Sequence, residues 1–213
     1  MNESDREALA RYVAELFAPE DEVLRDLAAE IAAGDMPEIQ ISPEEGRLLQ
    51  VLLRMVKAVR VLELGTLGGY SAIWMARALP EDGRLITVEK VAERAAVARR
   101  YIERAGLADR IDVRVGEAHE VLADIAGGEP FDAVFIDADK RGYPAYLEWC
   151  IENVRPGGLV IADNAFKNGE VLEESDDPGV IGIQKFNRRV ATDPRFTSIV
   201  VPIRDGVAVA LIS

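Results

Sequence analysis

The sequence is short of cysteine, of clustered basic residues and of long apolar runs, and each shortage disfavours a class of protein. Its single cysteine, Cys150, lies in an apolar helical stretch without a partner for an intrachain disulfide, which favours a buried thiol in a reducing cytoplasm. Acidic residues outnumber basic ones by 38 to 25, giving a net charge of -13, so nucleic acid and anionic membranes are disfavoured as partners. Because no run approaches the ~20 apolar residues of a membrane span and residues 1–12 lack an apolar signal core, insertion and secretion are also disfavoured.

What the sequence does contain suits one compact α/β domain over residues 1–213. Hydrophobic residues make up 49% of the chain, enough for a full core at this length. Apolar residues at helical spacing predict two short amphipathic helices within residues 1–38. Ser42, Pro43 and Glu45 then form the pattern of a capping box, which predicts the start of a third helix.

From residue 59 the sequence alternates short apolar runs with helical segments, which is typical of βαβ units around a parallel sheet. We predict strands at about 59–64, 84–89, 111–115, 131–136 and 158–163. Helices are predicted at about 71–79, 91–105, 117–126, 143–153 and 180–192. The final runs FTSIVVPI and GVAVALIS predict an antiparallel hairpin. Residues 167–179, acidic and without periodicity, predict a mobile loop.

A glycine-rich turn follows the first predicted strand in the stretch VLELGTLGGYS, residues 61–71. Gly65, Gly68 and Gly69 allow a sharp turn and a close approach of the backbone to a ligand. Their spacing is neither the pyrophosphate-binding G-x-G-x-x-G nor a phosphate loop, so a ligand with a sugar and no phosphate is favoured. Glu89, at the end of the next strand, is placed to accept hydrogen bonds from ribose hydroxyls. The alternative is an ordinary glycine turn beside a surface glutamate.

Oxygen-bearing side chains follow two later strands of the predicted sheet. Asp137 ends one strand, and Asp163 and Asn164 end the next, so all three converge on the carboxyl edge of a parallel sheet. Two carboxylates and one amide oxygen suit Mg²⁺ as ligands, and Mn²⁺ or Ca²⁺ takes similar donors. The alternative is that these residues cap the following helices. Lys140 is either solvated or, near a metal-bound hydroxyl, a proton acceptor.

With these motifs in view, residues from about 39 to 213 resemble the cation-dependent O-methyltransferases that include the caffeoyl-CoA and catechol O-methyltransferases. The similar segments, in the family's order, are ISPEEGRLLQVLLRM, ELGTLGGYSAIWMARALPEDG, FIDADKRGY, DNAFKNGEV and DPRFTSIVVPIRDGVAVALI. The resemblance implies S-adenosylmethionine as cofactor and a Rossmann-like, mostly parallel sheet of seven strands with an antiparallel C-terminal hairpin and helices on both faces. It also implies a homodimer, a divalent cation and a small ortho-dihydroxy aromatic acceptor, with residues 1–38 shaping the acceptor pocket or the dimer.

The resemblance also implies roles for individual residues. Asp137, Asp163 and Asn164 match the metal ligands, and Lys140 matches the general base. Asp137 would in addition take part in catalysis and contact the cofactor. The other expected cofactor contacts are Ile41 through its backbone, Glu63, Gly65 and Ser71 at the methionine end, Glu89 at the ribose, and Ala118 and His119 at the adenine. For His119 an exposed residue without function is an equal alternative.

The sequence departs from the family pattern at the acceptor side. Lys167 stands where the plant caffeoyl-CoA enzymes usually carry an aromatic residue, and Asp139 stands where the animal catechol enzymes have tryptophan. Two other functions remain as alternatives. A nicotinamide-dependent oxidoreductase would share the strand, glycine turn and acidic residue, although the pyrophosphate glycine spacing is missing. A non-catalytic S-adenosylmethionine-binding protein would have no need of the complete set of Asp, Lys and Asp-Asn.

Overall fold

The computed structural model describes residues 3–34 and 36–213, and their strands form a seven-stranded sheet. The strands are β1 (Arg60–Leu64), β2 (Arg84–Glu89), β3 (Ile111–Val115), β4 (Phe131–Ile136), β5 (Val154–Ala162), β6 (Phe196–Val201) and β7 (Val207–Ile212). Their spatial order is β3-β2-β1-β4-β5-β7-β6. The first five strands are parallel, and β7 runs antiparallel to both β5 and β6. The predicted fold class and its C-terminal hairpin are confirmed.

Helices cover both faces of this sheet. Within the described residues they are α1 (Glu3–Phe17), α2 (Glu22–Ala33), α3 (Pro43–Met55), α4 (Tyr70–Ala76), α5 (Ala92–Arg104), α6 (Ala118–Ile125), α7 (Tyr143–Asn153) and α8 (Pro178–Thr192). Successive strand residues point to opposite faces, so Val61 packs with α2 to α5 while Leu62 packs with α6 to α8. Apolar runs buried on both sides are the reason that these strands show little alternation. Cys150 is fully buried in the second cluster, as predicted, and this burial raises the pKa of its thiol.

Two segments differ from the sequence prediction. Strand β5 begins at Val154 instead of at about 158, because a bulge accommodates the turn-like residues Pro156 and Gly157 between two registers of the pairing with β4. The segment predicted as a mobile loop opens with a short 3₁₀ segment, Lys167–Leu172, interrupted by left-handed backbone at Asn168 and Gly169. Bulges and strained turns depend on the neighbouring strand or turn, so local composition does not indicate them.

The two N-terminal helices are present as predicted but differ in how they use their apolar faces. Leu24, Leu27 and Ile31 of α2 are fully buried, whereas the apolar stripe of α1 is exposed although that helix lies against α3. The exposed large apolar side chains of α1 are Leu9 at 50%, Val13 at 37%, and Tyr12, Leu16 and Phe17 at 58% each. The capping box at the start of α3 is present, with both reciprocal bonds between Ser42 and Glu45. In the part of the chain that the structure describes, no helix combines the length and apolarity needed to cross a membrane.

Candidate functional site

The carboxyl ends of the parallel strands open into a cavity of about 540 Å³. This edge is where open α/β sheets place their ligands. The predicted site residues that line it are Ile41, Gly65, Ser71, Glu89, Ala118, Asp137, Lys140 and Asn164. Glu63 and Asp163 lie buried behind the wall, and His119 is exposed outside it. We call the part around Gly65, Ser71 and Glu89 the glycine-loop end, and the part around Asp137 and Asn164 the aspartate end.

The turn after β1 holds the two ends of the cavity together. Gly65 has a φ of 101°, in the left-handed region, and a Cβ added there would lie 2.1 Å from the backbone oxygen of Asp137. Glycine is therefore required twice, for its backbone conformation and for the close approach of the turn to the end of β4. The close approach explains why the glycine loop and the aspartate end share one cavity.

Glu89 is held in place by backbone donors at the end of β2. Its Oε2 accepts from the backbone N–H of Leu67 at 2.8 Å, and its Oε1 accepts from that of Val91 at 3.0 Å. The side chain is 6% exposed and lines the cavity, so its carboxylate is both oriented and accessible from inside. This arrangement suits an acceptor of hydrogen bonds from a bound diol such as a ribose.

Glu63 supports the glycine-loop end from behind. It is fully buried, and its two oxygens accept hydrogen bonds from the hydroxyls of Ser71 and, at 2.5 Å, Thr87. Burial raises the pKa of the Glu63 carboxyl to about 8, and the charges of Asp137 and Glu89 act in the same direction. Glu63 itself does not line the cavity. It bonds to Ser71, which does, so Glu63 supports the wall only indirectly.

At the aspartate end, β4 and β5 bring the three predicted oxygen ligands to one edge. The ladder of backbone bonds continues one residue past each strand, from Asp137 N–H to Leu64 O at 2.8 Å and from Asp163 N–H to Ile136 O at 3.0 Å. Asp163 is 3% exposed, and its Oδ1 accepts from the backbone N–H of Asn164 at 2.7 Å. The predicted convergence of the three residues is therefore present.

The charges at the aspartate end fit a bound cation. Burial, together with the charges of Asp137 and Glu45, raises the pKa of the Asp163 carboxyl to about 7. Neighbouring carboxylates that repel each other in a buried wall are the ordinary setting of a divalent ion. Among the described residues there is no group of three or more His, Cys, Asp and Glu side chains suited to a metal, so a cation at this end would need the amide oxygen of Asn164 in addition to the two carboxylates.

Lys140 lies between one of these carboxylates and a tyrosine that sequence reasoning missed. Its Nζ donates to Asp137 Oδ1 at 2.8 Å and to the hydroxyl of Tyr143 at 2.7 Å. The Tyr143 hydroxyl also lies 3.0 Å from the carbonyl of Ile136 and 3.1 Å from that of Asp163. Tyr143 thus ties Lys140 to the ends of both strands. The signal in the sequence was the i, i+3 spacing of Lys140 and Tyr143 in a helical segment.

The sequence of the chain matches a known protein family. A family model described as O-methyltransferase matches residues 14–212, which is nearly the entire chain. The chain belongs to the O-methyltransferase family. The resemblance drawn from the sequence is confirmed, and the oxidoreductase alternative is set aside.

Named relatives and solved structures of this methyltransferase agree in fold and length. It is 40% identical over 220 residues to the catechol O-methyltransferase of Niastella koreensis, with both chains fully covered. It is 41% identical over 194 residues to the catechol O-methyltransferase of Mycobacterium tuberculosis, covering 87% of this chain and 88% of that one. The O-methyltransferase from Bacillus cereus, in complex with S-adenosylhomocysteine, matches with a TM-score of 0.92 and 41% identity over 97% of each chain. One from Streptomyces achromogenes involved in tomaymycin synthesis, in complex with S-adenosylmethionine, matches with a TM-score of 0.92 and 37% identity over 100% of each chain.

These comparisons correct one expectation. The sequence resemblance was confined to residues from about 39 onward, yet the family model begins at residue 14 and the structural matches cover nearly the whole chain. The opening helices of the methyltransferase therefore belong to the shared architecture. Amphipathic helices conserve a pattern of faces more than particular residues, so short motifs do not reveal them.

Proposed function

We propose that this methyltransferase transfers the methyl group of S-adenosylmethionine to one hydroxyl of a small ortho-dihydroxy aromatic acceptor, at a site that also holds a divalent cation. The observation that carries the proposal is that one cavity is lined by a carboxylate suited to a ribose, Glu89, and by two oxygen donors suited to a metal, Asp137 and Asn164, with Asp163 buried behind its wall. The names of the relatives support the class of acceptor. Catechol, caffeoyl and flavonoid-like compounds are the candidates.

The glycine-loop end suits the cofactor. We assign the ribose to Glu89, whose carboxylate is already oriented by two backbone N–H groups. Gly65 and Ser71 are proposed for the methionine end, and Ala118, at the start of α6, for the adenine. Ile41 borders the same cavity from the segment before α3. A cavity of about 540 Å³ lies in the range of small-molecule sites. We assign no contact to His119, since its side chain is exposed outside the lining.

The aspartate end suits a divalent cation held by Asp137, Asp163 and Asn164. Mg²⁺ matches hard oxygen donors with few carboxylates, and Mn²⁺ or Ca²⁺ would use the same atoms. When bound, the cation supplies Lewis acidity that makes a nearby hydroxyl easier to deprotonate. Asp137 is shared between this role and the wall facing the glycine loop, so it aligns the two ends of the site.

We propose that Lys140 receives the proton of the acceptor hydroxyl at Nζ. It must enter that step as the free amine, and Tyr143 then keeps the nitrogen in place. Direct displacement at the methyl carbon would form the new O–C bond as the S–C bond breaks, with the neutral thioether as the leaving group, so no covalent enzyme intermediate is required. The side chains contribute alignment, exclusion of water and a fixed electrostatic field.

The exposed stripe on α1 supports a homodimer as a further part of the proposal. Four large apolar side chains on one helix, each at least half exposed, are unusual on a surface that stays in water. We propose that a second copy covers them. The fully buried thiol of Cys150 is compatible with the reducing cytoplasm, where we place the enzyme.

The direct test is transfer of a labelled methyl group from S-adenosylmethionine to catechol, with Mg²⁺ and with excess chelator. We expect product only with the metal ion, and tighter binding of S-adenosylhomocysteine than of NAD in a thermal-shift assay. Full turnover with the chelator present would remove the cation from the proposal. Absence of turnover with every ortho-dihydroxy acceptor, metal included, would overturn the proposal itself.

A further inference from the structure

Two turns at the rim of the aspartate end are bonded to each other. Ala165 N–H donates to Gly206 O and Phe166 N–H donates to Asp205 O, each at 2.8 Å. The ring of Phe166 also packs on Gly206 so closely that a Cβ there would lie 2.7 Å from it. The turn after β5 and the turn between β6 and β7 therefore form one rigid rim.

Each turn of this rim carries a cationic side chain on a residue whose backbone lies in the left-handed region. Lys167 has a φ of 49° and Arg204 a φ of 45°. Non-glycine residues in this region are costly, and they cluster at functional sites. In the described parts of the chain, five of the six non-glycine residues with positive φ line the cavity, namely Leu67, Asn164, Lys167, Asn168 and Arg204. Strain is therefore concentrated at the wall of the site.

The two cations are only partly neutralised by the protein. Lys167 Nζ lies 3.6 Å from Glu170 Oε1, too far for a hydrogen bond. Arg204 uses one nitrogen, Nη1, for both of its bonds, to Gln40 O at 2.9 Å and to Glu45 Oε2 at 3.0 Å. Within residues 3–34 and 36–213, the other guanidinium nitrogens of Arg204 have no hydrogen-bond partner. Donors therefore remain available to a ligand.

The acids next to this rim are already engaged. Asp139 accepts from Arg141 at 3.1 and 3.2 Å, and Asp205 accepts from the backbone N–H of Asn168 at 2.6 Å. Glu38, on the neighbouring segment, is exposed and therefore screened by water and salt. Asp205 keeps its charge beside Lys167 and Arg204, because a backbone N–H does not neutralise a carboxylate, so the two cations act at the rim through their free hydrogen-bond donors and not through a net positive charge.

There is also room beyond the rim for the rest of a ligand. A second cavity of about 640 Å³ adjoins the first and shares Asn168, Arg204 and Asp205 with it. Its other walls are largely apolar, with Phe166, Val171 and Leu172. A substituent that passes the cations would therefore lie against an apolar surface, as the carbon chain or ring of an extended acceptor does.

We propose that Lys167 and Arg204 make this enzyme selective for acceptors that bear a carboxylate on the side remote from the two hydroxyls, as dihydroxycinnamates do. The proposal rests on the proposed methyl-transfer function and names the substrate class within it. Lys167 is the main determinant, because within the described residues its ammonium makes no hydrogen bond and only the 3.6 Å ion pair with Glu170. Arg204 adds a second donor and also fastens the rim to Glu45.

The test compares caffeate with its neutral primary amide, which has nearly the same shape. We expect the wild-type ratio of kcat/KM values to favour caffeate, and Lys167→Met to lower that ratio about tenfold, the usual effect of a lost charged hydrogen bond. Lys167→Arg should retain it within threefold. Lys185→Met, an exposed position on α8, removes the same charge elsewhere and should leave the ratio unchanged. Calorimetric binding of the two compounds in the presence of S-adenosylhomocysteine should show the same ordering.

The neutral amide serves as the internal reference for each variant. A Lys167→Met ratio within twofold of wild type, or a wild-type preference for the amide, overturns the selectivity proposal while leaving methyl transfer intact. Failure of the wild type to methylate either compound counts against the proposed function instead. If Lys167→Met does not fold, the wild-type ratio at low and high salt decides, since screening should reduce it and a flat response overturns the proposal.

Discussion

The glycine-loop end and the aspartate end of the cavity hold their carboxylates in different ways. Glu63 and Glu89 accept hydrogen bonds from hydroxyls and backbone N–H groups. Asp137, by contrast, is paired with the cationic side chain of Lys140, and Glu45, behind it, with that of Arg204. Neutral donors fix a binding surface without adding charge. An ion pair, by contrast, can separate when a metal ion binds its carboxylate or an anionic substrate binds its cationic side chain.

The largest expected effect is at the aspartate end. Asp163→Ala should lower metal-stimulated turnover by about 10³-fold or more, because the cation loses a donor in a buried wall. Binding of S-adenosylhomocysteine, measured by calorimetry, should change little, since the glycine-loop end is intact. Asp124→Ala, exposed on α6, is the matched control. Equal loss of cofactor binding and turnover would show that the two ends are not separable.

Lys140→Ala should lower the rate by roughly 10²–10⁴ if the side chain is a general base. Lys140→Arg keeps the charge beside Asp137 but does not accept a proton near neutral pH, so it should be nearly as slow. Single-turnover rates across pH measure both variants. Recovery of activity in Lys140→Arg, or a loss below threefold in Lys140→Ala, would reduce Lys140 to an electrostatic role.

At the glycine-loop end, Gly65→Ala tests the close approach between the two ends. The added Cβ would overlap the backbone oxygen of Asp137, so we expect a loss of roughly 3 kcal/mol in the free energy of unfolding, with weaker cofactor binding. Gly106→Ala is the control, because Gly106 also has a positive φ but has nothing within 4 Å of its added Cβ. It should lose only about 1 kcal/mol. Similar losses in both variants would attribute the effect to backbone strain alone.

The last expected effect is a pH dependence of stability that comes from Glu63. Its folded pKa of about 8 exceeds the ordinary value of 4.5, so its contribution to stability is complete below the ordinary pKa and is lost as the pH rises through 8. Glu63→Gln mimics the protonated form and should gain on wild type by roughly 4 kcal/mol between about pH 5 and pH 8.5. Urea unfolding at both pH values measures this. A pH-independent difference, like that expected for exposed Glu103→Gln, would show that Glu63 is charged throughout.

The same two ends differ in how far they could be predicted. The glycine turn and Glu89 lie next to strands in the sequence, so their positions follow from the order of the elements. The bonds that orient Glu89 were not foreseen, since hydrogen bonds to a particular N–H depend on the local path of the turn. The exposure of His119 likewise depends on where α6 begins.

At the aspartate end the ligands were predicted but their partners were not. Tyr143 bonds to carbonyls at the ends of two different strands, and Arg204 reaches Glu45 across a sequence separation of 159 residues. No period or motif relates residues that far apart. The turn-like start of β5 was missed for a similar reason, because the bulge that accommodates it is a property of the pair of strands.

The sequence by itself determined the alternation of strands and helices, the parallel sheet with its final hairpin, and the residues carried to the edge where the strands end. These follow from hydrophobic periodicity and glycine spacing, which act over a few residues. Only the tertiary structure decided which side chains are buried, which are paired and which remain free at the rim. Burial and pairing depend on packing between distant segments, and that packing sets the charge of the cavity.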